Sequence, residues 1–318
     1  MAERVLVTGG AGFIGSHLVE GLLEKGFEVR VLDNLSTGSR QNLAAVMKQI
    51  NFQSGDILNE DTLGRAMKGC AFVFHEAALR SVPESFKRPL EYNRVNVDGT
   101  YTVLKVAKEN NVQRVVYAAS SSAYGNAEKM PLGESLLPGP LSPYAVSKLG
   151  GELYCRMFYE CLGLETVCLR YFNVFGERQD PSSQYSSVIP RFISSVLEGR
   201  SPVIYGDGMQ SRDFTYVKNV VDANLTALRA GERACGEVFN VGQGNSIKVR
   251  ELLDKVNALL GRSVKPEYQP LRPGDVLHTQ ADMAKTKRLL GFTPRHSFDV
   301  GLKQTVEWFA REPHRGAR

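Results

Sequence analysis

Tyr144-Ala-Val-Ser-Lys148 places a phenol and an ammonium at i and i+4, on one face of a helix. The pair can do proton chemistry. A tyrosine needs its pKa lowered from about 10 toward 7 to act as a base, a shift worth about 4 kcal/mol at about 1.36 kcal/mol per unit. A neighbouring lysine cation acts in that direction, more strongly in a low local dielectric. The spacing alone is weak evidence, because Tyr101-Thr-Val-Leu-Lys105 repeats it. Tyr101 lies inside an ordinary helical pattern with no serine cluster paired to it, and reads as a decoy. Tyr144 opens its helix just after Ser142-Pro143, where side chains can face a cleft. Ser120-Ser121-Ser122 ends a strand pattern 24 residues before Tyr144, at the sheet edge where open parallel sheets bind ligands. On their own the serines read equally as a polar strand–loop turn.

A second constellation lies at the start of the chain. Thr8-Gly9-Gly10-Ala11-Gly12-Phe13-Ile14-Gly15 follows the first strand pattern and opens the first helix. Its glycines allow a tight turn, close backbone approach to a pyrophosphate and close helix–strand packing. The helix N-terminus then offers free N–H groups and the positive end of its dipole. Asp33 ends the second strand pattern 18 residues after Gly15. An acid there accepts from ribose hydroxyls and repels a 2′-phosphate, so the expected cofactor is NAD rather than NADP. The positive ring of NAD⁺ would further favour ionisation of Tyr144. Asp56-Ile57, after the third strand, is a second candidate cofactor contact or else a helix cap. Ala77-Ala78, after the fourth, is small enough for a cofactor to lie against.

The elements that must position these residues alternate. Strands are expected at 4–8, 28–33, 50–53, 71–75, 113–120 and 164–170, with helices at 13–25, 98–110 and 144–162. That rhythm means βαβ units and a parallel sheet covered on both faces. The predicted fold class is α/β, a Rossmann-type doubly wound parallel sheet with a smaller, mostly helical substrate domain. After about residue 173 the rhythm breaks. Residues 181–187 read as a polar loop and 211–215 as polar. Helices are expected at 188–198, 217–229, 249–260 and 298–310. A Pro- and Arg-containing loop is expected at 265–275, and a frayed tail at 311–318. Residues 1–173 and 212–244 are assigned to the dinucleotide domain, and 174–211 and 245–318 to the substrate domain, with substrate between them.

Composition narrows the classes. With 318 residues, 42% apolar and 23% charged, the chain can bury a core, and whole-chain disorder is excluded. A net charge of +5 without a basic block does not argue for nucleic acid. No apolar stretch is long enough to cross a membrane, and the N-terminus lacks the apolar region of a signal peptide. The five cysteines, with no C-x-x-C spacing, read as reduced, buried thiols in a cytoplasmic protein. The five histidines are scattered, so no metal site is expected.

Taken together, the glycine turn, Asp33, Asn96, Ala-Ser120-Ser-Ser-Ala-Tyr124-Gly125, Ser-Pro-Tyr144-x-x-x-Lys148 and Arg170-Tyr-Phe-Asn173-Val-Phe-Gly176 resemble the extended short-chain dehydrogenase/reductases. Among these they look most like the nucleotide-sugar 4-epimerases, over residues 3 to about 311. The resemblance implies a catalytic set of Ser120, Tyr144 and Lys148. Tyr144 would take the proton of a sugar 4-hydroxyl, and Lys148 would bind the nicotinamide ribose. The cofactor would touch Gly9, Gly12, Phe13, Ile14, Gly15, Asp33, Asn34, Ser36, Thr37, Gly38, Asp56, Ile57, Ala77, Ala78, Asn96 and Tyr171 besides the catalytic three. The substrate would touch Ser121, Ser122, Tyr144, Asn173, Val188, Tyr205, Arg212, Arg272, Asp275 and Thr279. In that reading Val188 and Tyr205 flank the uracil, while Asn173, Arg212 and Arg272 hold the diphosphate, to which guanidinium forks are suited.

Two departures separate relatives within the resemblance. Ser121 and Ser122 stand where the dehydratases carry an Asp-Glu pair and the uronate decarboxylases a Glu, so lyase chemistry lacks its acids. Thr279 stands where epimerases restricted to UDP-glucose and UDP-galactose carry a bulky Tyr. A UDP-sugar 4-epimerase is therefore expected, accepting N-acetylated hexosamines as well as hexoses. UDP-glucuronate 4-epimerization, or dehydratase or decarboxylase chemistry, is the alternative. The resemblance further implies a homodimer through the helices near 98–110 and 144–162.

Overall fold

Val5, Leu6 and Val7 are all fully buried, although successive strand residues point to opposite faces. A strand buried on both faces belongs to the middle of a covered parallel sheet. The computed structural model describes residues 2–181, 187–271 and 276–311, and it contains that sheet. Its strands are β1 (Arg4–Thr8), β2 (Glu28–Asp33), β3 (Asn51–Ser54), β4 (Phe72–His75), β5 (Arg114–Ser120), β6 (Glu165–Tyr171) and β7 (Glu237–Val241). They run in the order β7-β6-β5-β4-β1-β2-β3, all parallel. The order reverses between β1 and β4, and that is where a doubly wound sheet opens its ligand crevice.

Alternation along the strands sorts the core into two layers. Val5, Val7, Val31, Phe74, Val116 and Leu169 pack with α1 (Phe13–Glu24) on one face. Leu6, Leu32, Val73, Val115 and Cys168 pack on the other with α2 (Glu60–Met67), α3 (Gly99–Glu109) and α4 (Pro143–Leu162). A third apolar cluster joins α5 (Val188–Leu197), α7 (Val249–Leu260) and α8 (Phe298–Arg311) around Phe175, Phe214 and Tyr216. The helix α6 (Val217–Leu228) returns to the sheet beside α1.

Several elements differ from expectation. The helix α2 was not anticipated; Asn59 caps it, its side chain accepting from the Thr62 N–H at 2.8 Å. The helix read as starting at Asp98 begins earlier. It runs from Pro89–Asn93 through a wide π-type turn, Arg94–Asp98, into α3. A further helix, Val82–Lys87, precedes it. Both early helices carry proline in the first turn, where the missing N–H costs nothing, but their punctuated sequence hides the period. Within the stretch expected as loop, Glu267–Gln269 pairs in parallel with Val203–Tyr205. Short polar strands of that kind leave no alternation to read. Residues 182–186, 272–275 and 312–318 lie outside the described residues.

All five thiols are free. Four are buried as expected, but Cys161, in the last turn of α4, is exposed. Among the described residues no helix is long and apolar enough to cross a membrane, and no cluster of metal-ligating side chains occurs.

Candidate active site

The glycine turn leaves β1 with Gly9 at φ 71°, a conformation that disfavours a side chain. A Cβ there would also fall 2.6 Å from the backbone nitrogen of Ala77. A Cβ on Gly15 would collide with the carbonyl oxygen of Gly9. The turn is thus a cradle that only glycine permits, with α1 starting at its rim. Asp33, at the end of β2, is buried. Its Oδ2 accepts from the Ala11 N–H at 2.9 Å and its Oδ1 from the Leu35 N–H at 2.8 Å. Burial raises its pKa, and the two backbone N–H groups oppose that rise. The acid is locked to the glycine turn, with lone pairs remaining for ribose hydroxyls.

Asp56 is not the helix cap; Asn59 is. Asp56 accepts from the Leu58 N–H and from the Asn34 amide, each at 2.9 Å. Gly38 packs behind the glycine turn, where a Cβ would meet the Ala11 carbonyl carbon at 2.9 Å.

A cavity of about 300 Å³ begins at this cradle and ends at Tyr144 and Lys148. Gly9, Gly12, Phe13, Ile14, Gly15, Asp33, Asn34, Ser36, Thr37, Asp56, Ile57, Ala77, Ala78 and Tyr171 line it between them. Gly38, Asn96 and Ser120 are not among its lining residues. Asn96, buried, exchanges two hydrogen bonds with the backbone of Leu79, at 2.8 and 2.9 Å, and donates to Ser147 at 3.0 Å. Ser147 in turn donates to the Tyr144 carbonyl at 2.8 Å. Asn96 therefore ties the segment after β4 to the first turn of α4.

Ser142 caps α4 by accepting from the Ala145 N–H at 3.1 Å, with Pro143 in the first turn. Tyr144 is thereby held at the helix entrance. Burial raises its pKa, and the Ser120 hydroxyl and the charge of Arg80 offset only part of that rise. Lys148, buried one turn on, has its ammonium 4.4 Å from the centroid of the Tyr117 ring. Burial lowers its pKa to about 8 against the opposing charge of Glu76. For Tyr144 the net direction is upward; the largest opposing influence is Ser120, whereas the spacing pointed to Lys148. Ser120 accepts from the Ser122 hydroxyl at 2.9 Å and its N–H at 3.2 Å, which closes a tight turn at the end of β5.

The decoy pair lies elsewhere. Lys105 is paired with Glu60 at 2.7 Å on the surface, and Tyr101 packs edge-on against Tyr154 and Phe158.

The residues expected on the substrate side come together in part. The Asn173 amide donates to the Asp213 carbonyl at 3.0 Å and to the Thr279 hydroxyl at 3.1 Å, which also accepts from the Asp213 N–H. Thr279 is buried. Arg212 donates to the carbonyl of Leu277 at 2.8 Å, close to Thr279. Arg191, one turn after Val188 on α5, lies 5.9 Å from the Tyr205 ring centroid. Among the described substrate residues only Tyr144 reaches the cavity wall. Arg272 and Asp275 lie outside the described residues.

Three charged side chains in the wall escaped the sequence reading, Glu76, Arg80 and Glu91. The one local signal of Glu76 and Arg80 is position, on either side of Ala77-Ala78 beyond β4, and Glu91 follows on the short helix Pro89–Asn93.

Fold and cavity together define an α/β protein of the doubly wound, dinucleotide-binding class, with a Ser–Tyr–Lys group at the far end of the cofactor crevice. The chain belongs to the NAD dependent epimerase/dehydratase family, whose model matches residues 5–242. It is 38% identical over 306 residues to a putative UDP-glucose 4-epimerase of Methanocaldococcus jannaschii, covering 96% of this chain and 97% of that protein. It is similar to the crystal structure of Thermotoga maritima UDP-glucose 4-epimerase with UDP-glucose, with a TM-score of 0.93 at 37% identity, covering 98% and 100% of the two chains. The UDP-N-acetylglucosamine 4-epimerase of Methanobrevibacter ruminantium M1, in complex with UDP-N-acetylmuramic acid, is as similar in fold, at 0.93. There the identity is 42%, again over 98% and 100% of the chains.

Proposed function

We propose that this protein is a UDP-sugar 4-epimerase that interconverts gluco and galacto forms through a transient 4-keto sugar, taking UDP-N-acetylhexosamines as well as UDP-hexoses. One observation carries the reading. Tyr144, influenced by Ser120 and followed one turn on by buried Lys148, closes the same cavity that the glycine cradle and Asp33 open. The cradle fits a pyrophosphate and Asp33 a ribose, so Gly9, Gly12, Gly15 and Asp33 would hold one end of NAD and Lys148 the other. When bound, NAD supplies the acceptor and donor of the hydride at sugar C4.

The chain's own residues do the rest. Tyr144 takes the proton of the 4-hydroxyl as the ketone forms and returns it when the alcohol is rebuilt. Ser120 holds the phenol in place. Lys148, largely cationic below its pKa of about 8, supplies positive charge at the same end of the cavity. Asn96 fixes the helix entrance through Leu79 and Ser147. Asn173, Val188, Tyr205, Arg212, Arg272 and Asp275 would retain the nucleotide while the ketose turns over. Ser121, Ser122 and the small Thr279 would border the sugar. The absence of an acid at Ser121 and Ser122 favours epimerization over elimination or decarboxylation. We assign residues 1–173 and 212–244 to the cofactor side and 174–211 and 245–318 to the substrate side.

Exposed Val146 and Leu153 on α4, with Tyr101 on α3, support a homodimer through these helices. The free thiols suit a cytoplasmic setting. Tyr144→Phe tests the assignment. It should remove turnover by about a thousandfold or more while UDP binding stays within about twofold. Retained turnover would refute the role of Tyr144.

A further inference from the structure

Glu76 has no part in the chemistry described above, yet it sits in the wall of the cavity beside Tyr144 and Lys148. Its backbone N–H donates to the Thr8 carbonyl at 3.1 Å, which fixes it just past β4 and next to the glycine turn. Its Oε1 accepts from the Tyr171 hydroxyl at 2.7 Å. That bond crosses the end of β5, where Ala118 and Ala119 are small enough to let it pass. The direction of the bond is fixed. The amide of Asn224, fully buried on α6, donates to the Tyr171 oxygen at 2.8 Å, so the hydroxyl proton must point to Glu76. Among the described residues the second carboxylate oxygen, Oε2, makes no hydrogen bond. The titratable groups that act on Glu76 are Tyr171 from β6 and Lys148 from α4. Its neighbour on β4, His75, is buried and held neutral.

A carboxylate placed this way favours positive charge at this end of the cavity. We propose that Glu76, pinned by Tyr171 and Asn224, biases a bound nicotinamide toward its oxidised, cationic form and so guards against a cofactor stranded in the reduced state. The proposal rests on the reading of the chain as an epimerase that returns its hydride in every cycle. Such a protein gains nothing from a reduced resting cofactor, and an anion near the ring disfavours the neutral dihydronicotinamide relative to the cation. Glu76 is a positioning residue for charge and moves no atoms of the substrate. Burial holds it near the threshold of ionisation, at about 7, so a cation entering the cavity draws it into the anionic form.

The test is an equilibrium reduction of the purified holoprotein at about pH 8.5, above the Glu76 value of about 7, so that the carboxylate carries its full charge. Benzyl viologen serves as mediator and dithionite as reductant, and the near-ultraviolet absorbance of the dihydronicotinamide is read at a fixed potential. Glu76→Gln removes the charge but keeps a carbonyl oxygen for the Tyr171 hydroxyl. Even at about 10 Å and an effective dielectric of about 20, a unit charge changes the reduced-to-oxidised ratio by more than tenfold. The expected result is a rise of at least about tenfold in Glu76→Gln, with Glu76→Asp within about threefold of the native protein. An unchanged ratio in Glu76→Gln overturns the proposal. So does an equal rise in Glu76→Asp, because shape and not charge would then be responsible. A native protein that holds no reducible nucleotide at any potential refutes the cofactor reading itself, and the proposal falls with it.

Discussion

Replacing Asp33 by Asn probes the cofactor end of the site where its geometry is best defined. Both carboxylate oxygens of Asp33 accept backbone N–H bonds, from Ala11 at 2.9 Å and Leu35 at 2.8 Å. An amide has one oxygen, so one of these N–H groups must face an NH₂ donor. Losing a charge-assisted bond and leaving a buried donor unpaired costs about 1.5–3 kcal/mol. Burial already taxes the charge of Asp33, and removing that charge returns part of the loss. A net of about 2 kcal/mol remains, and it falls on the folded chain with or without cofactor. The ribose hydroxyls separately lose a charged acceptor, worth about 1.5–3 kcal/mol, or about ten- to a hundredfold in the grip on NAD. The repulsion that Asp33 exerts on a 2′-phosphate is lost as well, so the preference for NAD over NADP narrows by at least another tenfold. Calorimetric titration of cofactor-stripped native and Asp33→Asn protein with each dinucleotide measures both effects. An unchanged NAD-to-NADP ratio would refute the assignment of Asp33 to the ribose, however the absolute affinities move.

Two further predictions concern stability. Arg170 and Glu152 form a two-pronged ion pair at 2.9 and 2.7 Å, both nearly inaccessible, with the guanidinium 4.6 Å from the Tyr124 ring centroid. Glu152→Gln leaves the guanidinium buried without its counter-charge and should cost about 3–5 kcal/mol in denaturant unfolding; a loss below about 1 kcal/mol would contradict the pairing. His75 bonds Thr8 at 2.8 Å and Thr100 at 3.0 Å, and burial pushes its pKa to about 3. The unfolded chain binds this proton from about pH 6.5 downward and the folded chain only near 3, so stability is lost as pH falls through that window. Between pH 7 and 5 the native protein should lose about 2 kcal/mol more than His75→Gln. Glu76 and Asp213, raised to about 7 and about 6, work in the opposite direction but are common to both proteins. Parallel stability curves would contradict the assignment.

The cofactor half of the site was legible because its signals are local. Strand, glycine turn, helix and terminal acid lie within the first 33 residues, and each residue type answers to one backbone or charge requirement. The Tyr144–Lys148 spacing was legible only beside its decoy, and the serine turn decided between them. What escaped depends on strands distant in sequence. Glu76 is an unremarkable acid after a strand until the order β6-β5-β4 brings the Tyr171 hydroxyl to it. Asn96 was expected in the cofactor wall, but its amide is spent between Leu79 and Ser147. Thr279 was read for its small size, whereas its hydroxyl also holds Asn173 and the Asp213 backbone. Replacing it by Tyr would therefore disturb this hydrogen-bonded corner as well as narrow the sugar site.

The most direct test of the proposed activity is a product assay. The purified protein is incubated without added NAD, separately with UDP-N-acetylglucosamine, UDP-glucose and UDP-glucuronate, and the sugars are resolved. Formation of UDP-N-acetylgalactosamine and UDP-galactose, each reversible to the same equilibrium from the other side, is the predicted result. No 4-epimer from either of those two substrates, or a 4-keto-6-deoxy sugar or carbon dioxide in its place, would contradict it.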